Sequence, residues 1–246
     1  MSLVPFYRGR RHNLVLASVL AGLLFSVAIG AYWVSSERRT ATPSTSEQTA
    51  VVIASGPPWA LGPETARFTL VAYADFECPY CQSYLPHLMR WVGETQDVAL
   101  QWHHLPLPGH EPAASQAAQL AECFGEEGGA AAFWQAVTWV YEHTRGDGQG
   151  VPQDTTPAGM TPAVQACLVS ERPAAIVRAQ AEQAASAGIH ATPTVQVQDR
   201  DTGQVLTLSG PAEDDVLLSA LDWLASQERH TEQPEMPADE LGDMPK

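Results

Sequence analysis

Two cysteines separated by two residues, Cys78 and Cys81, lie where a strand pattern changes into a helical pattern. The preceding run, 68–74, is apolar and rich in β-branched and aromatic residues, which predicts a buried strand. After the motif, from Tyr84 to Val92, apolar residues recur at helical spacing. At a helix N-terminus, free backbone N–H groups and the positive end of the helix dipole favour the cysteine thiolate, which is the form that attacks disulfides. The motif therefore predicts thiol–disulfide exchange.

Cysteine pairs at this spacing also occur in zinc sites, but such sites usually contain a second pair or two closely spaced histidines. The other cysteines, Cys123 and Cys167, are far apart, and the adjacent His103 and His104 would point to opposite faces of a strand. A purely structural disulfide within the motif is the other alternative. We expect redox chemistry, with no metal ion and no cofactor.

A second motif, Thr192-Pro193-Thr194, precedes a short strand pattern at 195–197. Because proline cannot donate a hydrogen bond to a sheet, its position at the start of a strand needs a reason. One reason is a cis Thr192–Pro193 bond, which exposes the preceding backbone as an edge for an extended peptide. The alternative is a trans proline at the start of an edge strand. The presence of the cysteine motif favours the cis form.

Together these motifs resemble the DsbA-like thiol:disulfide oxidoreductase family, in its membrane-anchored branch. The resemblance rests on Ala-Asp-Phe-Glu-Cys-Pro-Tyr-Cys at 74–81 and Thr-Pro-Thr at 192–194, and it covers roughly residues 60 to 226. Further residues are similar to the helical insertion of that family: Leu105-Pro106-Leu107, His110, Ala117-Ala118, Cys123 and Phe133-Trp134.

The resemblance implies an α/β fold, in which a thioredoxin-like sheet at 60–227 carries an inserted helical domain at about 107–187. It also implies that Cys78 is the nucleophile and Cys81 the resolving thiol. The residues expected to form the substrate groove and to tune the thiolate are Pro79, Tyr80, Thr192 and Pro193. His190, which is close to the proline motif, is a further candidate for tuning Cys78.

The chain departs from the family pattern in two ways. Thioredoxin-like enzymes often carry a buried acid on the strand six residues before the first cysteine, where this chain has Ala72. Asp75 and Glu77 lie closer to the motif, and we expect them at a solvated strand end. The dipeptide Pro79-Tyr80 lacks the histidine of the strongest oxidants in the family and is shared with glutaredoxins. The direction of electron flow therefore stays open.

Between the motifs, small and apolar residues at helical spacing predict two helices within 111–141, joined by a loop at the glycine-rich 125–129. The other predicted elements are a strand at 97–104, helices at 162–168, 173–187 and 213–225, and a hairpin of 195–197 with 205–208. Cys123 and Cys167 fall near the ends of two of these helices. Because two leftover cysteines in an exported protein usually pair, we expect a structural disulfide, with free buried thiols as the alternative.

An apolar segment near the start of the chain predicts a single transmembrane helix at 12–34. No Asp, Glu, Lys or Arg occurs between Arg11 and Glu37, and about 20 apolar residues are enough to cross a bilayer. Arginines before the segment favour a cytoplasmic N-terminus at 1–11. The domain would then lie outside the inner (cytoplasmic) membrane, facing the periplasm or the cell exterior. A cleaved signal peptide is the alternative.

Two segments flank the predicted domain. Residues 35–59 are rich in Thr, Ser and Pro, which predicts a flexible tether, and 228–246 predict an acidic, disordered tail. The formal net charge of −15 argues against nucleic acid and against anionic lipid surfaces as partners.

We therefore expect an extracytoplasmic thiol–disulfide oxidoreductase that acts through 78–81 as an oxidase of exported cysteine-containing proteins. A membrane redox partner, either a quinone-linked oxidase or an electron donor, would restore its redox state. One alternative is a disulfide reductase or isomerase, which the missing histidine favours. Another is a non-catalytic, holdase-type protein that binds peptides in the proline groove without turnover.

Overall fold

The computed structural model describes residues 56–231. The predicted cytoplasmic N-terminus, the predicted anchor and most of the predicted tether lie outside the described residues, as does the predicted tail beyond Thr231. Among the residues that are described, no helix is both long enough and apolar enough to cross a membrane.

Five strands form one mixed sheet in the order β1-β3-β2-β4-β5. They are β1 (Ala60–Leu61), β2 (Phe68–Ala74), β3 (Val98–His104), β4 (Thr194–Asp199) and β5 (Val205–Ser209). Strand β2 runs parallel to β3 and antiparallel to β4, which continues into the predicted hairpin with β5. The short β1 pairs antiparallel with β3. The α/β sheet expected from the resemblance is confirmed.

Strand β2 is buried on both faces, which explains its continuous apolar sequence. Leu70 and Ala72 lie in the main core, with the helix that follows the cysteine motif and the last helix of the domain. Val71 and Tyr73 pack on the opposite face, in a smaller cluster that includes Ala184. The C-terminal end of this rigid central strand leads directly to the cysteine motif.

The helices are α1 (Pro79–Glu94), α2 (Ala113–His143), α3 (Pro162–Leu168), α4 (Arg172–Ser186) and α5 (Asp214–Thr231). A 3₁₀ turn at Pro108–His110 follows β3. Helices α2, α3 and α4 form the predicted helical insertion between β3 and β4. Helix α5 continues six residues beyond the predicted end, so it includes the first four residues of the predicted tail.

The predicted break between two helices lies within 125–129, but it is a kink and not a loop. Gly129, with φ 72° and ψ −167°, is the residue that leaves the helical conformation there and kinks α2. Gly125 is helical, and a Cβ atom there would lie 2.5 Å from the indole ring of Trp59. Gly125 therefore permits close packing rather than a break in the helix. Trp59, the last residue of the predicted tether, is buried and stacks on Phe133, so it belongs to the packed domain.

Candidate active site

The cysteine motif lies at the N-terminus of α1, directly after the central strand. Cys78 is the N-cap residue and Pro79 occupies the first helical position, where the missing N–H of proline costs nothing. Both motif cysteines are free thiols; Cys78 is 4% exposed and Cys81 is fully buried. Tyr80 is 67% exposed and forms the surface beside them. The structure thus has the predicted strand–motif–helix arrangement.

The two sulfurs differ in acidity. The pKa of Cys78 is lowered to about 5, mainly because the Cys81 side chain hydrogen-bonds to it. Burial opposes this effect, whereas Thr192 and the backbone N–H groups of Tyr80 and Cys81 support it. Burial is also the main reason that the pKa of Cys81 is raised. One sulfur is therefore stabilised as a thiolate and the other as a thiol, which is what a nucleophile and a resolving thiol require.

The proline motif lies beside Cys78. The Thr192–Pro193 peptide bond is cis, and Sγ of Cys78 lies 3.4 Å from the Thr192 carbonyl oxygen. Strand pairing of Thr194 with Tyr73 positions this loop against the end of β2. The structure thus brings together the two motifs that the sequence singled out.

A cavity of about 590 Å³ opens beside Cys78. The cysteine motif and the loop 190–192 form two of its walls, so His190 lies where the sequence placed it. Leu107, His110 and Asp147 complete the lining. The sequence predicted no role for any of these three residues, although His110 was part of the family resemblance.

The expectation that Asp75 and Glu77 lie at a solvated strand end is wrong, because both are almost completely buried. The Glu77 carboxylate accepts hydrogen bonds from the Thr144 hydroxyl and from the Gly150 N–H. In addition, the Asp147 N–H donates to the Glu77 carbonyl oxygen at 2.8 Å. Glu77 therefore holds the segment after α2 against the motif, and this contact brings Asp147 into the cavity wall.

Asp75 lies at the junction of β2 and the motif. Its Oδ1 atom accepts the Glu77 N–H at 2.7 Å, and its Oδ2 atom accepts the Leu107 N–H at 2.8 Å. The same Oδ2 atom lies 2.7 Å from Nδ1 of His110. Burial raises the pKa of Asp75, and these hydrogen bonds act in the opposite direction. Asp75 thus orients an imidazole whose ring borders the cavity.

No acid occupies the strand position six residues before the first cysteine, because Ala72 is fully buried in the core there. A phenol lies near the Cys81 thiol instead. Tyr141, from α2, is buried, and its hydroxyl donates to the Asp75 carbonyl oxygen at 3.3 Å. Burial raises the pKa of Tyr141, and the charges of the neighbouring cysteines and a hydrogen bond with Cys81 raise it further. From the sequence, the helical spacing of Tyr141 predicted only a position in the core.

Cys123 and Cys167 form a disulfide that joins α2 to α3. They lie in a small apolar cluster of the insertion together with Val164, separate from the cysteine motif. Within residues 56–231, no group of three or more His, Cys, Asp or Glu side chains is placed to hold a metal ion. His104 instead lies 2.9 Å from the buried Glu122 carboxylate.

A family model described as Thioredoxin matches residues 54–213. The crystal structure of DsbA2 from Pseudomonas aeruginosa is 40% identical and superposes with a TM-score of 0.66, covering 69% of this chain and 94% of that one. The chain belongs to the DsbA-like thiol:disulfide oxidoreductases.

Two more distant structures share the fold of this DsbA-like protein. The thiol-disulfide exchange protein α-DsbA2 from Wolbachia pipientis has a TM-score of 0.55 at 15% identity, covering 68% of this chain and 86% of that one. A periplasmic thioredoxin-like protein from Salmonella enterica serovar Typhimurium has a TM-score of 0.51 at 20% identity, covering 67% and 87%.

The curated relatives of this DsbA-like chain are longer proteins. The Na⁺/H⁺ antiporter NhaA 3 of Salinispora tropica is 43% identical over 82 residues, which is 33% of this chain and 12% of that protein. The antiporter NhaA of Herminiimonas arsenicoxydans is 31% identical over 153 residues, covering 56% and 22%. The chain thus spans less than a quarter of the length of these relatives.

Proposed function

We propose that this DsbA-like oxidoreductase works as an oxidase, which passes the Cys78–Cys81 disulfide to exported proteins that contain reduced cysteines. The observation that carries this proposal is the lowered pKa of Cys78, about 5. Stabilising the thiolate stabilises the reduced protein, and a pair whose reduced form is stabilised is a stronger oxidant. An oxidase needs a stable reduced form, whereas a reductase works better when its reduced form is less stable.

The roles of the site residues follow the order of the reaction. A substrate thiolate attacks Cys78 of the oxidised pair, forming a mixed disulfide and releasing Cys81 as the leaving sulfur. A second substrate cysteine then displaces Cys78, whose low pKa makes it a good leaving group. Thr192 and Pro193 present a backbone edge to the extended substrate, and Pro79 and Tyr80 border the same groove.

The location of the protein is part of this proposal. The uncharged segment 12–34 supports a single-pass anchor in the inner membrane, with the domain in the periplasm or at the cell exterior. The Cys123–Cys167 disulfide is consistent with such an oxidising compartment. A membrane redox partner would reoxidise the cysteine pair. Carbonate extraction of membranes tests the anchor: the full-length protein should stay in the pellet, and a shortened protein in the supernatant would mean that the segment is cleaved.

The reduction potential of the Cys78–Cys81 pair tests the direction of electron flow. Thioredoxin, with a cysteine pKa near 7, has a potential of about −270 mV. Lowering that pKa to about 5 favours the reduced form roughly 50-fold at pH 7, which corresponds to about 50 mV. Equilibration with glutathione should therefore give a potential less negative than about −220 mV. We also expect the pair to be oxidised in cells.

The opposite result identifies a reductase: a potential at or below about −270 mV, with the pair reduced in cells.

A trapping experiment tests the exchange itself. Cys81→Ala should accumulate mixed disulfides with exported proteins on Cys78, and Cys78→Ala is the control that should trap none. If Cys81→Ala also traps none and the motif disulfide is inert to glutathione, the chain binds peptides without turnover.

A further inference from the structure

The pair Asp75 and His110 has the geometry of an oriented base. With the Asp75 carboxylate ionised, it accepts two backbone N–H groups and the Nδ1–H of His110, at 2.7 Å. A histidine that donates through Nδ1 leaves Nε2 as a free acceptor when the ring is neutral. The His110 side chain is 18% exposed and lines the cavity, whereas the Asp75 side chain is not exposed, so the imidazole is the member of the pair that solvent and substrate can reach.

Disulfide exchange at Cys78 requires a proton to move. A cysteine in a substrate has an ordinary pKa of about 8.5, so only about 3% of it is the reactive thiolate at pH 7. Cys78 cannot serve as the base, because it is bonded to Cys81 in the oxidised protein. His110 lines the same cavity as Cys78 and the loop 190–192. A substrate cysteine that enters this cavity to reach Cys78 is therefore in the same cavity as the imidazole.

We propose that His110, oriented by Asp75, takes the proton from the substrate thiol as its sulfur attacks Cys78. The substrate S–H bond breaks and its proton goes to Nε2 of His110. A substrate–Cys78 disulfide forms while the Cys78–Cys81 bond breaks. The electron pair of that bond leaves on Cys81, which takes up a proton from water, and the imidazolium then releases its proton to water, so that one proton leaves the substrate thiol and one reaches Cys81. In the reverse direction, the imidazolium returns the proton to the leaving substrate sulfur. This role rests on the proposed exchange at Cys78.

Other ionisable groups face the same cavity, and they bear on any pH dependence. They are Cys78 and Tyr80 of the cysteine motif, Asp147 from the segment after α2, and His190 from the proline loop. Among the described residues that line this cavity, only His110 has a ring within hydrogen-bond distance of a buried carboxylate, that of Asp75. Tyr141 and Cys81 lie deeper and are buried.

The variant His110→Gln tests the proposal, because glutamine can still donate to Asp75 but cannot take up a proton. Two rate constants are compared. The first is the reaction of the oxidised protein with a reduced dicysteine peptide, which requires proton removal. The second is the reaction of the reduced protein with 5,5′-dithiobis(2-nitrobenzoate), whose aryl thiolate leaves without a proton. At pH 7 the variant should slow the first reaction roughly 10- to 30-fold, since only the ionised fraction of the peptide then attacks. The second should change less than twofold.

His87→Gln is the matched control. His87 lies 2.8 Å from Asp214 but is on the exposed side of α1, outside the cavity, and this variant should leave both rates unchanged. Equal slowing of both reactions by His110→Gln, or no slowing of either, overturns the proposal.

If the variant does not fold, the pH profile of the wild-type protein decides. A peptide rate that rises tenfold per pH unit from pH 5.5 to 7.5 means that hydroxide, not His110, removes the proton. If the wild-type protein reacts with the aryl disulfide but never with the peptide, the proposed exchange fails instead.

Discussion

Replacing Cys81 by alanine should raise the pKa of Cys78 by about one to two units. The folded protein lowers that pKa from 9.0 to about 5, and the hydrogen bond with the Cys81 side chain is the largest cause. A four-unit shift corresponds to about 5 kcal/mol. A hydrogen bond to a charged group contributes about 1.5–3 kcal/mol, which equals about one to two of those units. The remaining shift comes from Thr192 and from the N–H groups at the start of α1, which the substitution does not remove.

Alkylation by iodoacetamide measures this shift, because only the thiolate reacts. At pH 5 about half of Cys78 is thiolate in the wild-type protein, so Cys81→Ala should react roughly 5- to 50-fold more slowly there. At pH 8 the two rates should agree, since Cys78 is ionised in both proteins. Thiolate absorbance at 240 nm gives the same pKa independently. Cys81→Ser is the matched control: its hydroxyl can still donate, so Cys78 should titrate near the wild-type value.

Two results would refute this reasoning. If Cys81→Ala titrates like the wild-type protein, the backbone at the helix N-terminus stabilises the thiolate without help from Cys81. If Cys81→Ser titrates like Cys81→Ala, the hydrogen bond is not the cause.

Two other substitutions test what holds the site together. Glu77→Ala leaves the buried Thr144 hydroxyl and the Gly150 N–H without their acceptor. Urea denaturation should therefore show a loss of about 2–4 kcal/mol in the free energy of unfolding. Glu77→Gln, which keeps an acceptor oxygen, should lose less. An equal loss in both variants would mean that these hydrogen bonds are not what Glu77 contributes. Replacing Cys123 and Cys167 together by serine removes a cross-link between residues 44 positions apart, which should lower that free energy by about 4 kcal/mol. The alkylation rate of Cys78 should stay unchanged, and a slower rate would show that the insertion disulfide supports the active site.

Much of the fold and the centre of the site were predictable because their signals are local. The apolar run of β2, the helical spacing in α1 and the cysteines between them are contiguous in sequence. The proline motif is local as well, since its geometry depends on one peptide bond and on the strand that follows it. The structure places these two motifs in contact because β4 pairs with β2. That pairing is a long-range contact that only the family resemblance anticipated.

The incorrect predictions concern residues whose environment is made by distant parts of the chain. The alternation of Asp75 and Glu77 fits one solvated face at a strand end, yet segments that follow β3 and α2 cover both side chains and donate hydrogen bonds to them. Glycine spacing predicted a loop where Gly125 instead makes room for Trp59.

The sequence alone therefore determined the motif cysteines, the central strand and helix on either side of them, and the thiol–disulfide chemistry they support, because periodicity and short motifs act over a few residues. Only the tertiary structure decided which groups surround the motif: His110 at the cavity, Tyr141 near Cys81, and Glu77 hydrogen-bonded to the segment after α2. A buried carboxylate or phenol is tolerated only where distant groups supply its hydrogen bonds, and those partners become neighbours only when the chain has folded.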